Sequence, residues 1–66
     1  MQIYVNGEPK QIAEGLNLGA LLADLDLKVE AVAVALNLSV VPRSRLAEQI
    51  LVDGDRIEVV RAVGGG

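Results

Sequence analysis

The chain has 66 residues, enough for one domain with a modest core and no second domain. It lacks cysteine and histidine, which excludes disulfides and Cys-ligated zinc and removes the commonest metal ligand and general base. Six cationic side chains scattered among nine acidic ones give a formal net charge of −3, and Tyr4 is the single aromatic, so nucleic acid finds neither a basic footprint nor a stacking platform.

Residues 2–5 alternate, with Ile3 and Val5 on one face and Gln2 and Tyr4 on the other, and Asn6-Gly7 supplies the positive-φ pair of a tight hairpin. The second arm, Pro9 to Ala13, opens on a proline, which suits an edge strand because the missing N–H removes no ladder bond. After Gly15, Asn17 is placed to cap a helix whose Leu18, Leu21, Leu22 and Leu25 share one face, with Asp24 opposite. Ala31 to Leu36 alternates again, putting Val32, Val34 and Leu36 inward and three alanines outward. Asn37 opens a turn, Val40-Val41 is a short extended piece ended by Pro42, and Ser44 is expected to cap a brief helical turn through Glu48. Asp53-Gly54-Asp55 turns into a last strand, Arg56 to Val60, with Ile57 and Val59 inward.

This order predicts an α+β chain, a mixed sheet of four to five strands with one main helix packed on one face, the outline of a β-grasp. Residues 1–60 form the domain and 61–66 a C-terminal tail. Carboxylates, a few lysines, Ser39, Ser44 and Tyr4 are the only groups left for acid, base or nucleophile work, and they fall in no catalytic spacing, so the chain reads as a non-catalytic partner. No stretch approaches the roughly 20 apolar residues of a membrane span, and Met1-Gln2-Ile3 runs into a strand without a charged leader, which points to the cytoplasm.

Six residues after Val60 reach about 20 Å when extended at roughly 3.3 Å each, enough to enter another protein's active site. Gly64, Gly65 and Gly66 carry no side chains, so this backbone can thread a narrow channel. A carboxylate at Gly66 becomes electrophilic once it attacks the α-phosphorus of ATP and forms an acyl-adenylate; a sulfur nucleophile then displaces AMP and leaves a thiocarboxylate. That chemistry demands no cysteine on the carrier. A cloning remnant or a frayed end is the alternative reading of the glycines, and the agreement of tail and fold outline favours the functional one.

Met1-Gln2-Ile3 leading to Asn6-Gly7, the leucine helix, Val41-Pro42-Arg43, the Asp53-Gly54-Asp55 turn and the Gly65-Gly66 end follow one another along the whole chain. In this pattern the sequence resembles the ThiS family, small ubiquitin-like sulfur carriers of thiamin biosynthesis. Gly64 departs from it, since many relatives carry a side chain there. The resemblance implies a β-grasp fold and adenylation of Gly66 by a ThiF-type enzyme, which uses ATP while the carrier binds no cofactor. It further implies sulfur from a donor protein and delivery to a ThiG-type thiazole synthase, with a deoxyxylulose phosphate and a glycine-derived imine as co-substrates. Sister carriers serve molybdopterin synthesis, cysteine synthesis or tRNA thiolation. A ubiquitin-like modifier joined to lysines, and a small domain with no tail chemistry, stay open beside them.

Arg43 and Arg45 are either solvated or paired with acidic groups of the activating enzyme, and only Arg43 belongs to the family pattern. Asp53 and Asp55 lack the further oxygens of a calcium loop and read as turn residues. The outward set Tyr4, Ala33, Ala35 and Val60 predicts a flat, weakly apolar sheet face, where a sheet covered on one side normally shows polar groups. It is read equally as a partner surface and as a patch too small to matter.

Overall fold

Asn6 and Gly7 take φ values of 51° and 85°, and this pair folds β1 (Gln2–Val5) back onto β2 (Glu8–Gln11) in the computed structural model, which describes residues 1–61. The turn is so tight that Glu8 already faces Val5; β2 therefore starts one residue before the expected Pro9 and ends at Gln11 rather than Ala13. Pro9, opposite Tyr4, lies on an edge strand as its missing donor requires.

Helix α1 (Leu18–Asp24) begins where Asn17 Oδ1 accepts a hydrogen bond from the Ala20 N–H at 2.7 Å. Two further N–H groups of its first turn, those of Leu18 and Gly19, donate to the carbonyls of Gln49 and Leu46 at 2.8 and 3.0 Å. A Cβ on Gly19 would stand 3.3 Å from Asn17 Oδ1 and 3.5 Å from the Ala47 nitrogen, so glycine lets the 46–49 loop lie against the helix start. Leu18, Leu21 and Leu22 are fully buried, and Leu25 closes the helix partly buried.

A 3-10 turn at Val29–Ala31 displaces the start of β3 (Val32–Leu36) by one residue from the alternating pattern. Asn37 and Leu38, at φ 49° and 72°, then reverse the chain into β4 (Ser39–Val41). A second 3-10 turn follows at Arg43–Arg45. Pro42 occupies its cap position and no side chain caps it, so the expected role of Ser44 is not realised: Pro42, with φ fixed at −60°, starts the turn early and leaves Ser44 inside it. The closing strand β5 (Arg56–Arg61) runs one residue beyond the expected Val60, because Arg61 still pairs with Val32.

The five strands are ordered β2-β1-β5-β3-β4, with β1 and β5 parallel and the remaining pairs antiparallel. This is the mixed β-grasp sheet that the sequence predicts. Ile3, Val34 and Ile57 project from its central strands into one core with Leu18, Leu21 and Leu22. Leu46 and Leu51, which no periodicity singles out, complete it from the loop between β4 and β5.

Asp55 is the one buried charged residue among those described. Its Oδ2 accepts from the Val52 N–H at 2.8 Å and its Oδ1 from Asn37 Nδ2 at 3.0 Å, tying the last turn to the β3–β4 hairpin. Asp55→Ala strands both donors and is expected to cost about 2–3 kcal/mol of a total on the order of 3–10 kcal/mol, read as a lower urea midpoint. Leu38 is 88% exposed at a left-handed φ and recovers nothing by burial. Leu38→Gly should relieve about 1–2 kcal/mol of backbone strain against roughly 0.5–1 kcal/mol of added chain entropy, a net gain of up to about 1 kcal/mol in the same titration.

Candidate functional site

The alternation of β5 sends Ile57 and Val59 toward α1 and leaves Arg56, Glu58 and Val60 on the opposite, uncovered face. Register decides what stands beside them. Ala33 faces Val60, Ala35 faces Glu58, and on its other side Ala35 faces Val40 of β4. Ala33, Ala35, Val40, Glu58 and Val60 thereby border a shallow depression of about 130 Å³. Val40 and Val60 are 77% and 62% exposed, unusual for valines whose neighbours across the sheet are alanines too small to cover them.

The other end of the same face is polar. Tyr4 is level with Arg56, whose guanidinium lies 5.0 Å from the ring centroid. Arg56 is four residues from Val60 along β5, on the order of 13 Å. Gln11 Nε2 donates to Gln2 Oε1 and Gln2 Nε2 to the Tyr4 hydroxyl, both at 3.1 Å, so β1 and β2 present a hydrogen-bonded polar surface. The face expected to be flat and weakly apolar is thus divided: Ala33, Ala35 and Val60 come together, and Tyr4 is drawn into the polar half by Arg56 and Gln2. Val40 and Glu58 are the members that sequence reasoning missed. The signal for Val40 was present, since one of two adjacent valines in a strand must point outward.

Arg43 is exposed in the second 3-10 turn, does not border the depression, and makes no ion pair among the described residues. Arg45 meets Glu48 at 3.7 Å with both side chains about 70% exposed, a contact worth little. Asp53 and Asp55 serve their turn as expected: Asp53 Oδ1 accepts from the Gln2 N–H at 2.8 Å, and Asp55 makes the two bonds given above.

Gly64, Gly65 and Gly66 lie outside the described residues. With Arg61 in β5, five residues follow the strand instead of six, and five residues span at most about 17 Å at roughly 3.3 Å each. The apolar patch stands at the base of that segment, because Val60 immediately precedes Arg61.

Residues 3–66 match the model of the ThiS family. The sulfur carrier protein ThiS of Escherichia coli is 38% identical over 66 residues, the whole of both chains. A thiazole synthase of Paramagnetospirillum magneticum is also 38% identical over 66 residues; the chain spans only a fifth of that protein's length. Among solved structures, the crystal structure of the thiamine biosynthesis protein ThiS from Geobacter metallireducens superposes with a TM-score of 0.87 at 38% identity, covering both chains completely. Among the described residues no helix is long and apolar enough to cross a membrane.

Proposed function

The chain belongs to the ThiS family, the sulfur carriers of thiamin biosynthesis, and we propose that it carries sulfur as a thiocarboxylate on Gly66, a carrier acted on by enzymes and not an enzyme itself. The Gly66 carboxylate attacks the α-phosphorus of ATP held by a ThiF-type adenylating enzyme, and pyrophosphate leaves. Sulfide released at a donor protein, as HS⁻, then attacks the acyl carbon, AMP and a proton leave, and the terminus is a thiocarboxylate. The carrier itself binds no cofactor. Gly64 and Gly65 offer a strip of bare backbone to the active-site channel. The cytoplasm, where ATP is plentiful, is the compartment that suits this chemistry.

The observation that carries this reading is the position of the apolar patch. A partner that buries Ala33, Ala35, Val40 and Val60 holds β5 by the residue next to its end, and the segment after Arg61 is delivered within about 17 Å of that contact. The end-to-end match with the E. coli carrier supports Gly66 as the reacting residue, since it aligns with that protein's last position. A ThiG-type thiazole synthase is the proposed recipient of the sulfur, supported by the occurrence of a segment similar to this chain within a protein named thiazole synthase. Arg43, exposed and without an ion pair among the described residues, is available to acidic groups of the activating enzyme. Tyr4, beneath Arg56, borders the same face at greater distance.

Deleting Gly66 should abolish ATP–pyrophosphate exchange with the adenylating enzyme while leaving the urea midpoint unchanged; undiminished exchange by the shortened chain would sink the assignment. Loading with ATP, the enzyme and a sulfur source should raise the intact mass by the difference between a sulfur and an oxygen atom, placed at Gly66 by tandem mass spectrometry. An unchanged mass together with a conjugate to a target lysine would replace the carrier by a modifier. Val60→Asp, at an exposed position that the fold tolerates, should weaken binding to the adenylating enzyme about tenfold or more, because a charge must be desolvated in the contact. Equal affinity by titration calorimetry would place the contact elsewhere.

A further inference from the structure

The parallel ladder between β1 and β5 stops short of the end of β5. The Tyr4 N–H donates to the Asp55 carbonyl at 2.9 Å and the Asn6 N–H to the Ile57 carbonyl at 2.8 Å. The next rung would require β1 to continue past Asn6 and engage Val59, but the chain leaves the sheet there: Asn6 and Gly7 are both in the left-handed region, and Glu8 is already paired back to Val5. The side chain of Asn6 fills the missing rung. Its Oδ1 accepts from the Val59 N–H at 2.8 Å and its Nδ2 donates to the Val59 carbonyl at 3.3 Å, so a primary amide takes the place of a peptide group on the facing strand. Val59 is two residues before Arg61. Beyond it, among the described residues, the pairings at Val60 and Arg61 come from β3.

We propose that Asn6 is a positioning residue for the C-terminal segment: by holding both backbone groups of Val59 from the β1 side, it fixes the direction in which β5 delivers Gly66 to the adenylating enzyme. The proposal rests on the reading of Gly66 as the reacting residue. Few other side chains meet the demands of the site. It must tolerate positive φ, carry one donor and one acceptor in a plane, and be short enough to reach the neighbouring strand from a turn. Glutamine is a methylene too long, aspartate supplies the acceptor alone, and glycine supplies neither. Without the clamp, the last described residues of β5 are restrained by β3 alone, and the direction of the strand at Arg61 is less sharply fixed. Affinity, set by the sheet face, is then unaffected, but fewer complexes hold the carboxylate in line with the α-phosphorus.

Asn6→Gly separates this role from the turn, because Gly-Gly keeps the positive-φ hairpin while removing the amide. In the full chain, amide hydrogen exchange followed by NMR should quicken at Val59 while Ile57 and Val34 stay protected. ATP–pyrophosphate exchange should show kcat reduced about tenfold with KM for the carrier unchanged. Asn6→Asp keeps the acceptor to the Val59 N–H and should fall between the two, so the ranking survives even if Asn6→Gly folds poorly. Wild-type kcat in both folded variants, or a rise in KM with kcat intact, would overturn the proposal. So would protection at Val59 that is unaltered in Asn6→Gly. A wild-type chain that supports no exchange at all removes the reading of Gly66 and this inference with it, whereas a failure confined to the Asn6 variants touches the inference alone.

Discussion

The sheet is held together by one insertion: β5, the last strand in the chain, lies between β1 and β3, which belong to two separate hairpins. The β1–β2 hairpin and the β3–β4 hairpin share no ladder with each other. Each is formed by local reversal, and a two-stranded hairpin is marginal by itself. Joined through β5 they become a five-stranded surface wide enough to bury Ile3, Val34 and Ile57 beneath α1. The contacts that accomplish this cross most of the sequence, as between Gln2 and Asp53 or Asn6 and Val59. The core is thus completed by the same strand that leads to the C-terminal glycines.

Two turn asparagines make that insertion specific. Asn6 and Asn37 each sit at a left-handed φ in a tight reversal, and each spends its side chain on β5. Asn37 holds the beginning of the strand: its backbone N–H donates to the Arg56 carbonyl at 2.8 Å, its Oδ1 accepts from the Arg56 N–H at 3.0 Å, and its Nδ2 reaches Asp55. Asn6 holds the other end at Val59. Any of several residues could make either turn, with glycine the easiest; asparagine adds a planar donor and acceptor that extends a ladder beyond the point where the backbone abandons it. The strand is thereby fixed at both ends, against β1 and against β3.

Period-two and helical patterns made β1, α1, β3 and β5 legible, since each buries one face and repeats its apolar residues accordingly. The Asn17 cap was equally legible, and so was the Asp53–Asp55 turn, because the Ala20 bond to Asn17 and the Val52 bond to Asp55 are local, whereas the bonds of Asp53 to Gln2 and of Asp55 to Asn37 were not foreseen. What escaped was whatever depends on a distant partner. Leu46 and Leu51 belong to no periodic run; their burial follows from the loop being drawn onto the start of α1 by the Leu18 and Gly19 N–H groups. Ser44 looked like a cap because its residue type favours one, yet Pro42 fixes the backbone earlier. Both asparagines were readable as turn residues and neither as a clamp, for the bonds span 53 and 19 residues. For the sheet face, alternation assigned Tyr4, Ala33, Ala35 and Val60 to one side, but the register across five strands set Tyr4 apart and added Val40.

A carrier poor in functional groups must be recognised by shape, and this body supplies shape where it is useful. Alanines at positions 33 and 35 keep the centre of the uncovered face low, and Val40 and Val60 stand exposed on either side of them. Burying such a patch desolvates few polar groups, so binding can be favourable without being tight. On the function proposed above, in which the body visits an adenylating enzyme and then a sulfur acceptor, it needs release as much as capture. Glu58, which lines the depression opposite Ala35, works in the same direction, because a partner has to leave it solvated or pair it. In the same proposal, Gly66 lies five residues after Arg61, at most about 17 Å of extended backbone, and reaches an active site only if the body docks with the end of β5 toward it. So proposed, weak apolar contact and strict reach divide the work of recognition, the first allowing exchange between partners and the second rejecting misaligned complexes.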